Sequence, residues 1–263
     1  TGYFAPWLFP LFGVLMLTVV LTFAELASYF KKTGGPVVYA QKAFGSMLGF
    51  QTGWLLYLGR LTAFAANLNL LIQYSEVLIP SIAIGITKDI LILGFCLLLV
   101  FVNVVGVKKA IKMVNLVTIV KLSPIILLIL MTLPYVVPMT YIASELPTFS
   151  DVESVALLLL YAFVGFEGVL MTAGETNNPR KTIPRALVGG VIFIALFYFL
   201  IQLTYSSVVT EHNPDGAPLV DMANLMAGPV GGSIIALAIV FSIFGNLSSI
   251  VVAAPRITFA LSQ

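Results

Sequence analysis

The chain has 263 residues, 60% of them hydrophobic and only 9% charged, with a formal net charge of +2. Soluble domains carry roughly 25% charged residues, so a soluble globule is excluded and lipid is the expected solvent. The small charge gives no footprint for nucleic acid, and the single cysteine and single histidine exclude a disulfide, a metal cluster and a nucleophilic catalytic set; neither a cofactor nor an enzyme activity is expected.

A helix needs about 20 apolar residues to cross a bilayer. Seven spans are predicted, at roughly 7–30, 47–75, 90–107, 114–133, 153–174, 185–209 and 230–259. The third is short and the second long, which predicts tilt and interfacial ends. Cys96 lies in the apolar run of the third span and reads as packing. His212 lies in a polar loop beside Glu211.

Lys31, Lys32 and Lys42 fall in the first connecting loop, Lys108, Lys109 and Lys112 in the third, and Arg180, Lys181 and Arg185 in the fifth. The alternate loops hold only Lys88 among basic residues. Lys and Arg accumulate on the cytoplasmic side, so the Thr1 end is expected to be extracellular and the Gln263 end cytoplasmic, in the plasma membrane. No charged segment precedes the first apolar run, which is therefore not a signal peptide. The start at Thr1 and the odd number of spans predict that at least one helix precedes this sequence.

Ionisable groups inside a span are costly and need a reason. Glu25 lies near the cytoplasmic end of the first span, close to Lys31 and Lys32, and reads as structural. Arg60 lies well inside the second span; it keeps its charge, so a pairing role is expected rather than proton carriage. Asn67 and Asn69 follow it and are candidates for hydrogen bonds between helices. Lys121 lies in the fourth span. It reads either as an ammonium that alternates between charged and neutral forms or as a snorkelling anchor. Pro124 frees a backbone carbonyl nearby, a possible partner for it.

In the fifth span Glu167 sits between Gly165 and Gly168. Glycine weakens a helix, and discontinuous helices in transporters expose backbone groups near the midplane. Glu167 is thus either a proton-accepting carboxylate, a brace for an unwound helix, or a buried acid satisfied by backbone. Beyond it Asn178-Pro179 stops the helix, and Thr182 is expected to cap the next one with Pro184 in its first turn. In the last span Asn246, Ser248 and Ser249 read either as helix-packing polar residues or as lining for a substrate or ion path. Arg256 reads as an anchor at the inner surface. The Gly34-Gly35-Pro36 turn precedes an amphipathic turn before the second span. Both this loop and that at 178–185 read as hairpin punctuation or as a gate latch.

FAELASYFKKTGGPVVYAQKAFG followed by GFQTGWLLYLGR, and YAFVGFEG followed by GETNNPRKTIPRAL, resemble the amino acid–polyamine–organocation permeases. The resemblance covers family helices two to eight. It implies an all-α polytopic membrane protein, a partial LeuT-like five-plus-five inverted-repeat bundle. The chain would be one permease domain, 1–263, truncated at both ends and lacking the helix-one break that cradles the substrate carboxylate. The resemblance further implies that carbonyls of Tyr161, Ala162, Phe163 and Val164, with Gly165 at the break, hold the substrate ammonium, and that Tyr161 gates the pocket. Glu167 matches the family's glutamate after the break. Lys121 falls in the helix where proton-coupled members carry a lysine in place of a sodium site. Asn246 and Ser248 fall near the substrate-facing positions of helix eight.

The expected function is secondary active transport of amino acids, by proton-coupled symport or exchange, with Lys121 and Glu167 as coupling groups. Expected partners are an amino acid, protons and the bilayer, with no nucleic acid. The alternatives are a channel-like pore or a non-functional truncated fragment. A channel would present polar or charged rings in several spans.

Overall fold

The computed structural model describes residues 2–30, 34–79, 85–105, 107–142, 146–171, 173, 176–209 and 217–261, with the backbone alone for 102–105, 107–117 and 142. Lys31, Lys32, Glu211 and His212 lie outside the described residues, as do the side chains of Lys108, Lys109 and Lys112. The regular structure among the described residues is entirely helical. Apolar sequence in lipid dictates this, because a helix satisfies its backbone groups within one segment.

In chain order the helices are α1 (Ala5–Tyr29), α2 (Pro36–Phe44), α3 (Ser46–Leu78), α4 (Ile86–Val105), α5 (Val107–Thr132), α6 (Pro138–Ile142), α7 (Phe149–Phe163), α8 (Glu167–Met171), α9 (Pro179–Val208) and α10 (Pro218–Leu261). Among the described residues, six stretches are long and apolar enough to cross a membrane: Gly2–Tyr29, Ser46–Leu78, Thr118–Tyr135, Phe149–Met171, Pro179–Val208 and Pro218–Leu261. The protein is an all-α, multi-pass membrane protein. The expected third span, 90–107, is helical as α4, but it is not among the six stretches found within the described residues.

Two compact units divide the chain. One comprises Thr1–Gly53, Thr132–Thr210 and Phe259–Gln263; the other comprises Trp54–Met131 and Glu211–Thr258. The first is built on α1 and α9. Leu8, Phe12, Met16, Val20 and Ala24 recur every fourth residue on α1, and Ile183, Leu187, Val191 and Ala195 do the same on α9; all are buried. Side chains four apart share a helix face, and two such rows pack as ridges against grooves. A Cβ on Gly13 would lie 2.7 Å from that of Ala195, while Phe9 meets Tyr198 and Trp7 meets Phe199. Partner numbers rise as α1 numbers fall, so the two helices run antiparallel. The opposite face of α1 leaves Leu11, Val14, Leu15 and Val19 exposed, as a lipid-facing surface requires.

α2 is wedged against this unit through glycines. Gly35, at φ 47°, begins the helix, and a Cβ there would come within 3.1 Å of the Leu170 backbone of α8. Tyr39 of α2 stacks at 5.0 Å from Phe30. Among the described residues its buried hydroxyl has no hydrogen-bond partner, and burial raises the phenol above its ordinary pKa.

The second unit holds α4 and most of α3, α5 and α10. Leu68, Leu71, Leu99, Phe244 and Leu247 form its core, with Cys96 packed alongside. Cys96 is a free thiol. α10 is interrupted at Gly228 (φ 67°, ψ −171°), directly before Pro229. The span reading began this helix at 230 and missed the ten residues from Pro218 ahead of the kink.

Candidate functional site

α7 starts with a capping box. Thr148 Oγ accepts the Asp151 backbone N–H at 3.3 Å, and the Asp151 carboxylate accepts the Thr148 N–H at 2.9 Å. This reciprocal pair satisfies two of the N–H groups a helix start leaves open. At the other end α7 stops at Phe163, well inside the apolar stretch. Val164 is extended, at φ −70° and ψ 148°, and Gly165 takes φ 122°, a region that favours glycine. The chain re-enters helix only at Glu167. Gly165 thus opens the backbone, whereas Gly168 is already inside α8.

The last four carbonyls of a helix have no intrahelical donor. Here the Val164 N–H reaches the Tyr161 carbonyl at 3.1 Å, closing a tight last turn. The restart is built similarly: the Gly168 N–H reaches the Gly165 carbonyl and the Val169 N–H that of Phe166, each at 3.1 Å. Among the described residues no backbone donor reaches the carbonyls of Ala162, Phe163 or Val164. Such a cluster carries the partial negative charge of a helix C-terminus and suits a cation with several N–H donors. Across the break, Glu167 Oε2 accepts the Gly165 N–H at 3.0 Å. Its carboxylate ties the first residue of α8 to the linking turn.

Side chains at the break divide between two surroundings. Tyr161 and Val164 are 59% and 55% exposed, while Phe163 is only 3% exposed. The Phe163 ring packs near Gly13 and against Tyr198 at 6.1 Å. Of the two aromatic rings, only that of Tyr161 is open to the surroundings of the break; Phe163 offers only its carbonyl. The Tyr198 hydroxyl approaches the Ala162 carbonyl at 3.5 Å. Tyr198 carried no signal in the sequence, because one tyrosine in an aromatic-rich run looks like lipid-facing surface.

Tyr161, Ala162, Phe163, Val164, Gly165 and Glu167 belong to the first unit, and Lys121, Asn246 and Ser248 to the second. In the second unit Asn246 donates to the Asn67 side-chain oxygen at 3.1 Å, joining α10 to α3. Asn67 in turn donates to the Ala63 carbonyl. Asn69, expected to act between helices, instead donates to Ala65 of its own helix. Ser248 and Ser249 donate back to Phe244 and Gly245, and Arg256 to Val252. Lys121 is half-buried. Pro124 cannot donate to Val120, and it is the Ser123 hydroxyl that takes that carbonyl, at 3.3 Å. The freed acceptor expected for Lys121 is thus shared with a neighbour.

The turn after α8 differs from expectation. α9 begins at Pro179, with Asn178 left-handed at φ 51°. Thr182 does not cap it; its hydroxyl reaches back to the Asn177 carbonyl at 2.9 Å. Proline suits a first helical position because it lacks an N–H that would go unsatisfied, and asparagine tolerates the left-handed region. Those two preferences start the helix one turn early.

A broken apolar helix with open carbonyls thus lies within a multi-pass helical membrane protein. The chain belongs to the amino acid permease family, whose sequence pattern it matches over residues 2–263. It is 30% identical to the serine/threonine exchanger SteT of Bacillus subtilis over 95% of this chain and 58% of that protein. A probable polyamine transporter of Arabidopsis thaliana is 30% identical over 71% of this chain and 38% of its own length. The low-affinity putrescine importer PlaP of Escherichia coli is 28% identical over 78% of this chain and 47% of its own. The chain thus spans about half the length of these curated relatives.

Proposed function

We propose that the protein is a secondary active transporter of amino acids that binds the substrate ammonium at the break between α7 and α8. The observation that carries this reading is the set of carbonyls at Ala162, Phe163 and Val164 that no backbone donor reaches among the described residues, in a turn held by Gly165 and its bond to Glu167. Carbonyl dipoles at a helix C-terminus bind a cation at a discontinuous membrane helix. Tyr161 covers the site. The chain forms one permease domain, seven helices of a five-plus-five inverted-repeat bundle, with the Thr1 end extracellular and the Gln263 end cytoplasmic in the plasma membrane. Alternating basic loops support that orientation.

Exchange and proton symport are the two modes in view, and the exchanger among the relatives supports exchange. Lys121 and Glu167 are the coupling groups if protons drive uptake. Reconstituting the full-length protein in proteoliposomes separates these readings. Counterflow of radiolabelled L-serine against internal L-threonine, saturating with concentration, is expected; ohmic current without counterflow would make it a channel. Lys121→Ala is expected to abolish stimulation by an inward pH gradient while leaving counterflow intact. Full stimulation in that variant would remove Lys121 from coupling.

A further inference from the structure

Tyr198 lies on the inner face of α9, where three helices meet at the end of α7. Its ring is fixed by two edge-on aromatic contacts, Phe9 of α1 at 5.5 Å and Phe163 of α7 at 6.1 Å. One turn before it on α9, Ala195 touches Gly13, where a Cβ would stand only 2.7 Å away. That close approach sets the depth of α9 against α1 and so the height of the phenol. Its hydroxyl then stands 3.5 Å from the Ala162 carbonyl, longer than an ordinary O–H···O bond. Among the described residues it is the only donor to reach that oxygen.

We infer that Tyr198 is a positioning residue for the substrate ammonium, aiming the Ala162 carbonyl by occupying one of its two lone pairs. A carbonyl oxygen accepts two hydrogen bonds. With the phenol on the inner side, the other lone pair is turned out of the helix end, where an ammonium N–H can use it. A free carbonyl at a helix terminus would otherwise tilt with its peptide plane. The hydrogen bond of the phenol also polarises the C=O, which strengthens the second bond. The 3.5 Å separation leaves room to shorten when a cation arrives.

This inference rests on the proposed substrate site, and its test separates the two. Inhibition of uptake by L-serine is compared with inhibition by 3-hydroxypropanoate, the same molecule without the ammonium, in the full-length protein reconstituted in proteoliposomes. Wild type is expected to favour serine strongly. Tyr198→Phe keeps the ring contacts and removes only the hydroxyl. It is expected to weaken serine inhibition about two- to tenfold, the span of one net hydrogen bond, with 3-hydroxypropanoate unchanged. Equal weakening for both compounds, or none, would overturn the positioning role while leaving the ammonium site standing. Equal inhibition of wild type by both compounds would overturn the site and the inference together. Infrared difference spectra of protein carrying 13C-carbonyl alanine test the contact without transport. An upshifted carbonyl band in Tyr198→Phe is expected, and an unmoved band would refute it.

Discussion

Two apolar helices of this protein break at a glycine, and they break differently. Between α7 and α8 the chain leaves helix at Phe163, passes extended Val164 and Gly165 at φ 122°, and resumes at Glu167. In α10 the departure is confined to Gly228 at φ 67°, and helix resumes at Pro229. Proline at the restart presets a helical φ and needs no donor, so the second break closes at once. At the first, Phe166 follows the glycine, and the Glu167 carboxylate ties down the Gly165 N–H instead. A glycine followed by proline makes a kink. A glycine followed by a carboxylate two residues on makes an open turn with exposed carbonyls.

Exchanging each glycine for alanine probes this contrast most strongly. Gly165→Ala places a side chain at φ 122°, at a cost of about 1–3 kcal/mol. The full-length protein is expected to lose both melting temperature and serine affinity. Gly228→Ala, in a backbone region open essentially to glycine alone, is expected to cost about 1–3 kcal/mol, lowering the melting temperature with serine affinity unchanged. Matching affinity losses in the two variants would abolish the distinction between an open turn and a simple kink.

Glu167 gives the next largest effect. Glu167→Ala removes the acceptor for the Gly165 N–H and is expected to cost about 1 kcal/mol, as for an ordinary net hydrogen bond. Glu167→Gln keeps an acceptor oxygen and should recover most of that stability. If Gln also retains uptake driven by a pH gradient, the carboxylate is a brace alone. Loss of that stimulation with an intact melting temperature assigns it proton coupling.

The smallest effect concerns the second unit. A double-mutant cycle on Asn67→Ala and Asn246→Ala should return a coupling of about 0.6 kcal/mol, the average for hydrogen bonds between membrane helices. Such a value in unfolding measurements makes the pair a helix clasp; additive single effects would leave Asn246 free for the substrate path.

The amide pair also marks how far sequence reading reached. Asn67 was readable as a candidate for bonding between helices, but so was Asn69, two residues on. Residues two apart point about 200° apart on a helix, so only one of them faced α10. Which one did depends on helix rotation, which an almost uniformly apolar span does not encode. The same holds for Lys121, where the carbonyl freed by Pro124 was foreseeable but the nearer hydroxyl of Ser123 claimed it. The Gly228 kink was signalled by the Gly-Pro pair itself, and the apolar run that continues past it hid the signal.

Sequence by itself determined the membrane class and the helical content, and marked Gly165 as a weak point of the fifth span. These follow from local chemistry: apolar length, the conformational freedom of glycine, and a carboxylate too costly to bury without a task. Tertiary structure alone decided that Phe163 turns into the core while, among the described residues, no backbone donor reaches its carbonyl, that Asn246 meets Asn67, and that Tyr198 stands over Ala162. Those outcomes depend on how deeply α1 and α9 approach each other and on how each helix is rotated. In a chain where nearly every face is apolar, only packing between distant segments sets either one.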